Sequence, residues 1–354
     1  MPATTPRHIV LACVAFVAGM LLAGTLASRR GGSRCLDEVA LEPVTTQQQD
    51  RLDFRAALAR VAAQSPAEHD NLVIIVVVNS GFLSMAHNFM AHARSVAPRI
   101  RNVLYVALDA ACYQNLLAIP DIAAYFDATT LAAHDASLSS SQRFQDAAYN
   151  RIVMYKWALS LQVLKLGYRL LTIDADIVLL RNPLSFLAGL PSCDVSVTTD
   201  AWGPEITRAT HSRYAHEGRN ESAVYVNTGL LLWQPSRTTV ELIESFLDPQ
   251  WRIKGADDQT EFNQFLRSRA ASTTAYVSLT LKDVLAKRCA QFAGLRINVL
   301  APVLFPSIQQ LSYDSKLVSF AQVPPFAIHF NYLPHLAAKK QMMSKYNLWL
   351  LPPA

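Results

Sequence analysis

Asp174 and Asp176 stand one residue apart in RLLTIDADIVLLRNPL, residues 169–184, a run that is otherwise almost entirely apolar. A buried carboxylate without a partner is costly, and two held close together repel. A divalent cation between them removes both penalties. Oxygen ligands suit Mg2+ or Mn2+, and such ions keep positions open for the phosphates of a substrate. The same triplet also occurs as structure alone, each aspartate capping a turn or the next helix. The residues leave both readings open, and the two differ in what a charge-removing substitution does.

To meet a substrate, the carboxylates must emerge where a sheet exposes a ligand-binding edge, and the flanking sequence predicts such an edge. NLVIIVVV, from Asn71, is a continuous β-branched run, as expected of a central strand covered on both faces. Asn79-Ser80-Gly81 interrupts it, and FLSMAHNFMAHARSV continues as a helix. VLYVAL (103–108) predicts a second buried strand that ends at Asp109. Residues 145–168 predict a long helix closed near Gly167. RLLTI then runs straight into Asp174, and VSVTT (195–199) and AVYVNTGLLLWQ (223–234) predict further strands. Strands alternating with helices make an α/β domain with a mostly parallel sheet and helices on both faces. Such sheets bind ligands at the carboxyl ends of their strands, which is where Asp174 falls. No internal repeat is present.

Asp-Ala-Asp is preceded by a helix ending in LKLGYRLL and followed by IVLL and Arg181-Asn182-Pro183. Together these pieces resemble the nucleotide-diphospho-sugar transferase domain, as in glycosyltransferase family 77 of plants and algae, and more distantly the glycogenin-like retaining transferases. The resemblance extends over residues 71–345 and is strongest over 166–183. It implies a GT-A-like, single Rossmann-type nucleotide-sugar-binding domain.

The resemblance also implies roles for particular residues. Asn227, in the Asn-Thr-Gly of VYVNTGLLLWQPS, would face the donor sugar; a turn residue beside a needed glycine is the alternative. Asp258 and Gln259, in ADDQTEFNQF, would approach the sugar and its reacting carbon, whereas alone they read as a polar helix start. Lys156, and less strongly Arg151 one turn earlier, match a basic residue near the donor, against a solvated helix face. In FAIHFNYLPHLAAKK, His329 would be the third metal ligand, and Lys339 or Lys340 would neutralise the leaving diphosphate. His335 stands where the family usually has glycine, a departure that bears on backbone contacts to the diphosphate and on the choice of lysine. The loop Asn79, Ser80 and Gly81 would hold the nucleoside, a uridine by resemblance.

The resemblance, with these parts, implies a Mn2+- or Mg2+-dependent glycosyltransferase that uses a UDP-sugar donor and a glycan or glycoprotein acceptor. Relatives retain anomeric configuration, and no residue is assigned as a covalent nucleophile. The alternatives are a glycogenin-like hexosyltransferase with another donor, a nucleotide-sugar-binding pseudo-enzyme, and a structural membrane protein. The last leaves the aspartate pair unexplained.

Of the 354 residues, 51% are hydrophobic and 17% charged, enough for a large globular core. The net charge of +5 is scattered, with no basic stripe carrying interleaved aromatics, so nucleic acid is not an expected partner. Residues 9–27 are uncharged and apolar over about the length that spans a bilayer. We read them as an uncleaved anchor, with a signal peptide as the alternative. A stem over 28–70, containing a helical stretch with Leu52, Phe54, Leu58 and Val61 on one face, would then carry the domain. The sequon Asn220-Glu221-Ser222 agrees with a lumenal domain and a single-pass type II protein of the Golgi membrane. Cys35, Cys112, Cys193 and Cys289 would be lumenal, with three possible pairings or as buried thiols, and Cys13 would lie in the membrane.

Overall fold

The computed structural model describes residues 54–126, 147–200, 225–253, 256–270, 289–302, 304–313, 324–333 and 335–352. The apolar run 9–27, the sequon at Asn220, and Cys13 and Cys35 lie outside the described residues.

The β-branched run forms β1 (Leu72–Val78), and VLYVA forms β2 (Val103–Ala107), with β3 (Ala123–Phe126) beyond it. Downstream come β4 (Arg169–Ile173), β5 (Ile177–Leu179), β6 (Val195–Thr199) and β7 (Val226–Trp233), followed by β8 (Ala290–Phe292), β9 (Leu295–Val299) and β10 (Ala327–His329). Among the described residues the main sheet has eight strands in the order β3-β2-β1-β4-β7-β6-β9-β8. β1 pairs in parallel with β2 and β4, β2 with β3, and β6 with β9. β7 runs antiparallel to both β4 and β6, and β8 antiparallel to β9. The expected mostly parallel sheet is therefore present, with an antiparallel strand inserted beside β4.

Side chains alternate across each strand, so β1 serves two cores at once. Val73 and Ile75 face one cluster; Leu72, Ile74, Val76 and Val78 face the other. The first face is covered by α1 (Phe54–Ala62), α4 (Ala147–Lys165), α6 (Arg237–Leu247) and α7 (Asp258–Ala270). Its centre is aromatic, with the Trp157 ring 4.5 Å from Phe262 and 4.8 Å from Phe246. The second face is covered by α2 (Leu83–Ser95), α3 (Ala110–Leu117) and α5 (Leu184–Ala188). α1, expected within the stem, buries Phe54, Ala57, Leu58 and Val61 against this sheet. α4 stops where Gly167 takes φ +84°, a left-handed conformation that glycine accepts without a Cβ clash.

The smaller sheet positions the site. After β4 the chain leaves the main sheet, turns through Asp174-Ala175-Asp176, and pairs as β5 with β10 in antiparallel register. α8 (Ile308–Tyr313) and α9 (Leu336–Lys345) flank this pair. Val178, Ile308, Ile328, Phe330, Met343 and Leu348 form a third core beneath it.

Candidate active site

Asp174 and Asp176 lie at a change of sheet rather than inside a strand. The Asp174 N–H still donates to the Gly229 carbonyl at 2.8 Å, as if β4 continued beside β7. The Asp174 carbonyl then accepts from Ile177 N at 3.1 Å, closing a turn. The β5–β10 register sets Ile177 opposite His329, and Phe330 N donates to the Asp176 carbonyl at 3.1 Å. Two segments about 150 residues apart in sequence thereby put an imidazole beside two carboxylates.

His329 Nε2 is 3.2 Å from Asp176 Oδ1 and 3.9 Å from Asp174 Oδ2. One ligand atom from each of the three residues lies within 4.8 Å of the others, so the group can enclose a cation. The opposite side of the imidazole is fixed: Nδ1 donates to the Asn227 side-chain carbonyl at 3.2 Å. With that proton on Nδ1, Nε2 is the nitrogen that can ligate. Burial opposes charge on the ring, but Asp176 and then Asp174 raise its pKa above the ordinary histidine value. Gly229 makes room for the ring. A Cβ there would lie 2.1 Å from His329 Cε1, so no other residue fits without displacing the imidazole. Two oxygens and one nitrogen suit Mn2+ or Mg2+, and the residues present fit the divalent ion that the sequence motif implies.

Two lysines hold the remaining carboxylate oxygens. Lys156, on α4, donates to Asp174 Oδ1 at 3.0 Å and to the Thr228 carbonyl at 3.3 Å, and it is 3.7 Å from Asp258. It is buried rather than solvated. Burial opposes its charge, but Asp174 and Asp258 together raise its pKa above the ordinary lysine value. Lys339 bonds Asp176 Oδ2 and donates to the Phe330 carbonyl at 3.0 Å. Burial opposes ionisation of Asp176, yet Lys339 and His329 hold its carboxyl well below the usual range. Lys340 instead places its ammonium 5.2 Å from the centre of the Trp349 ring, so Lys339 is the lysine at the site. His335 caps α9: its Nδ1 accepts from Ala338 N at 3.1 Å, with extended backbone that imposes no demand for glycine.

The polar residues around this centre form one connected network. Asn227 Nδ2 donates to both oxygens of Asp200, at 3.0 and 2.9 Å. Gln259 Nε2 donates to Asp200 Oδ2 at 2.8 Å, and Gln259 Oε1 accepts from Thr228 N at 3.2 Å. Asp258 points the other way, accepting from Trp157 Nε1 at 3.0 Å beneath Lys156. Asp200 belongs to the site although no motif in the sequence marks it. Its signal is its position, because it follows the buried strand VSVTT as Asp174 follows RLLTI. At the β1 edge, Asn79 accepts from Phe82 N at 3.0 Å, and Ser80 donates through its N–H and hydroxyl to Asp109. These contacts tie the Asn79-Ser80-Gly81 loop to the end of β2. Arg151 lies on α4, with its side chain outside the described residues.

Residues 98–343 match the family described as nucleotide-diphospho-sugar transferase. Among characterised proteins, the chain is similar to arabinosyltransferase RRA1 of Arabidopsis thaliana, with 28% identity covering 73% of this chain and 60% of that protein. Arabinosyltransferase XEG113 of the same plant is 23% identical, over 56% of this chain and 29% of its own length. The plant's UDP-D-xylose:L-fucose alpha-1,3-D-xylosyltransferase is 25% identical over 54% and 47%. The chain thus spans less than two thirds of the length of each of these relatives. Among solved structures, mouse xyloside xylosyltransferase 1 in its apo form superposes with a TM-score of 0.42 at 13% identity, covering 75% of this chain and 99% of that one. The glycosyltransferase GlyE of Streptococcus pneumoniae gives 0.41 at 8% identity, over 79% and 60%.

Proposed function

The chain belongs to the nucleotide-diphospho-sugar transferase family, and on that premise we propose that it is a metal-dependent glycosyltransferase. It moves a sugar from a UDP-sugar to a glycan or glycoprotein acceptor, with retention of anomeric configuration. The observation that carries this reading is the convergence of Asp174, Asp176 and His329 on one cation-sized space. The names of the similar plant proteins make UDP-pentoses the first donors to test.

The contacts, together with the family resemblance, support the following roles. Asp174 Oδ2, Asp176 Oδ1 and His329 Nε2 would hold Mn2+ or Mg2+. Once bound, such an ion supplies positive charge against the leaving diphosphate. Asn227 keeps a His329 proton on Nδ1, away from the ligating face. Lys339 brings a second cation to that face and, on donor binding, exchanges its bond to Asp176 for the diphosphate. Charge on the diphosphate grows as the sugar–oxygen bond breaks, so Lys339 stabilises the transition state more than the ground state. Asp200, Asn227 and Gln259 orient the sugar. Lys156 supports donor binding by fixing Asp174 and Asp258 relative to one another. Asn79, Ser80 and Gly81 hold the nucleoside at the end of β1.

We also propose the domain order of the sequence reading: an anchor over 9–27, a stem, and a lumenal domain in the Golgi, its core starting at α1. The Cys193–Cys289 disulfide supports an oxidising compartment. Among the described residues no helix is long and apolar enough to cross a membrane, so the anchor rests on the sequence of 9–27 alone.

UDP release by the purified lumenal domain, measured across UDP-arabinose, UDP-xylose, UDP-glucose and UDP-galactose with Mn2+, tests the reading. Turnover of at least one donor that a chelator abolishes is expected. UDP binding without turnover of any donor would leave a pseudo-enzyme, and absence of UDP binding would overturn the nucleotide-sugar reading.

A further inference from the structure

We propose that Asn331 and Tyr332, on the turn that leaves β10, form the sugar-reading corner of this site. Asn331 accepts a sugar hydroxyl, and the Tyr332 ring supplies the wall on which the sugar lies. The inference rests on the nucleotide-sugar reading and adds to it two residues that the metal and diphosphate do not require.

Asn331 is 9% exposed, and its Nδ2 donates to Asp200 Oδ1 at 3.2 Å. A carboxylate only accepts, so this bond fixes which way the amide points. Asn331 Oδ1 is then a buried acceptor, and among the described residues it has no hydrogen-bond partner. An unmet buried acceptor is costly, and a hydroxylated ligand is the chemistry that satisfies it. Tyr332 carries an independent mark. Its φ is +58°, a left-handed conformation disfavoured for an aromatic residue and found where function holds the backbone in place. Its hydroxyl donates to Asp200 Oδ2 at 2.6 Å and accepts from Gln259 Nε2 at 3.2 Å. With the hydroxyl anchored there, the residue as a whole is still 36% exposed. A tyrosine held by its hydroxyl can present its ring to the C–H groups of a sugar. The corner adjoins the cation site through Asp200, Asn227 and His329, each bonded to the next.

Calorimetric titration with UDP and with UDP-xylose, UDP-arabinose and UDP-glucose, each with Mn2+, separates the sugar from the nucleotide. Tyr332→Gly suits the left-handed backbone, so it removes the ring without straining the turn; Tyr332→Phe keeps the ring. In both Tyr332→Gly and Asn331→Ala, UDP affinity should stay within about twofold of wild type. The additional affinity that the preferred UDP-sugar shows over UDP should fall about tenfold, the loss of roughly one hydrogen bond or one stacked face. Tyr332→Phe should retain most of that increment. An unchanged increment in Tyr332→Gly and Asn331→Ala would overturn the proposal, as would a parallel loss of UDP and UDP-sugar affinity with a lowered melting temperature. Wild-type protein that binds no UDP would remove the nucleotide-sugar reading and this corner with it.

Discussion

Without a cation, the repulsion between Asp174 and Asp176 is offset by Lys156, Lys339 and His329, which engage their oxygens. This alters what substitution should do. Two facing carboxylates alone would gain from losing a charge, but here each is already matched by a lysine, Lys156 at Asp174 and Lys339 at Asp176. The aspartate pair was legible from residue type, because carboxylates are rare in apolar runs, whereas His329 and Lys339, with Lys340 beside it, were legible only through the family resemblance. The inward role of Asp258, beneath Lys156 and Trp157, was not, because a helix start reads the same whether its acid faces solvent or a buried lysine. Gly229 shows a second kind of hidden residue, for it matters through what it lacks. Gly229→Ala should push the imidazole out of line and lower Mn2+ affinity at least tenfold, with a stability loss of about 1–3 kcal/mol from overpacking. Metal titration beside a denaturant curve checks this; unaltered Mn2+ affinity would mean that the His329 ring finds another seat.

At the scale of elements, local patterning identified β1, β2, β4, β6 and α4, each a long apolar or amphipathic run. It did not reveal that β5 departs from the main sheet to join β10, since that pairing spans about 150 residues and both strands are only three residues long. The antiparallel β7 was likewise unreadable, because a fully buried strand has the same composition in either direction. α9 carries Lys339 on its first turns, so its start position matters for the site. His335 provides the cap there. His335→Ala should cost about 1 kcal/mol of stability, and His335→Asn should restore it. Equal denaturation curves for wild type and His335→Ala would show that the cap contributes nothing.

The whole molecule carries buried histidines outside the site. His69 Nε2 bonds the Leu184 carbonyl at 2.5 Å, while Arg169 faces Nδ1 at 3.4 Å; burial chiefly, then Arg169, lower its pKa below 6.5. His92 is likewise lowered by burial, bonding the Leu348 carbonyl of the C-terminal tail at 2.8 Å. Unfolding frees both to titrate near 6.5, so their contribution is complete above that pH and declines as pH falls toward their folded values. The melting temperature should fall between about pH 7.5 and 5.5, and His69→Gln, which can still donate to Leu184, should flatten that slope. An equal slope in wild type and variant would remove His69 from the account.

The central claim is that Asp174, Asp176 and His329 exist to hold a cation that in turn holds UDP. Its most direct test is calorimetric titration of Mn2+ plus UDP into wild type and Asp176→Asn, beside a melting curve for each. The variant keeps the shape of Asp176 but loses a charged oxygen and the full strength of its bonds to Lys339 and His329. Mn2+-dependent UDP affinity should fall at least a hundredfold, while the melting temperature drops by only a few degrees. Wild-type affinity in Asp176→Asn, with stability lost instead, would contradict the metal site and return the aspartate pair to a structural role.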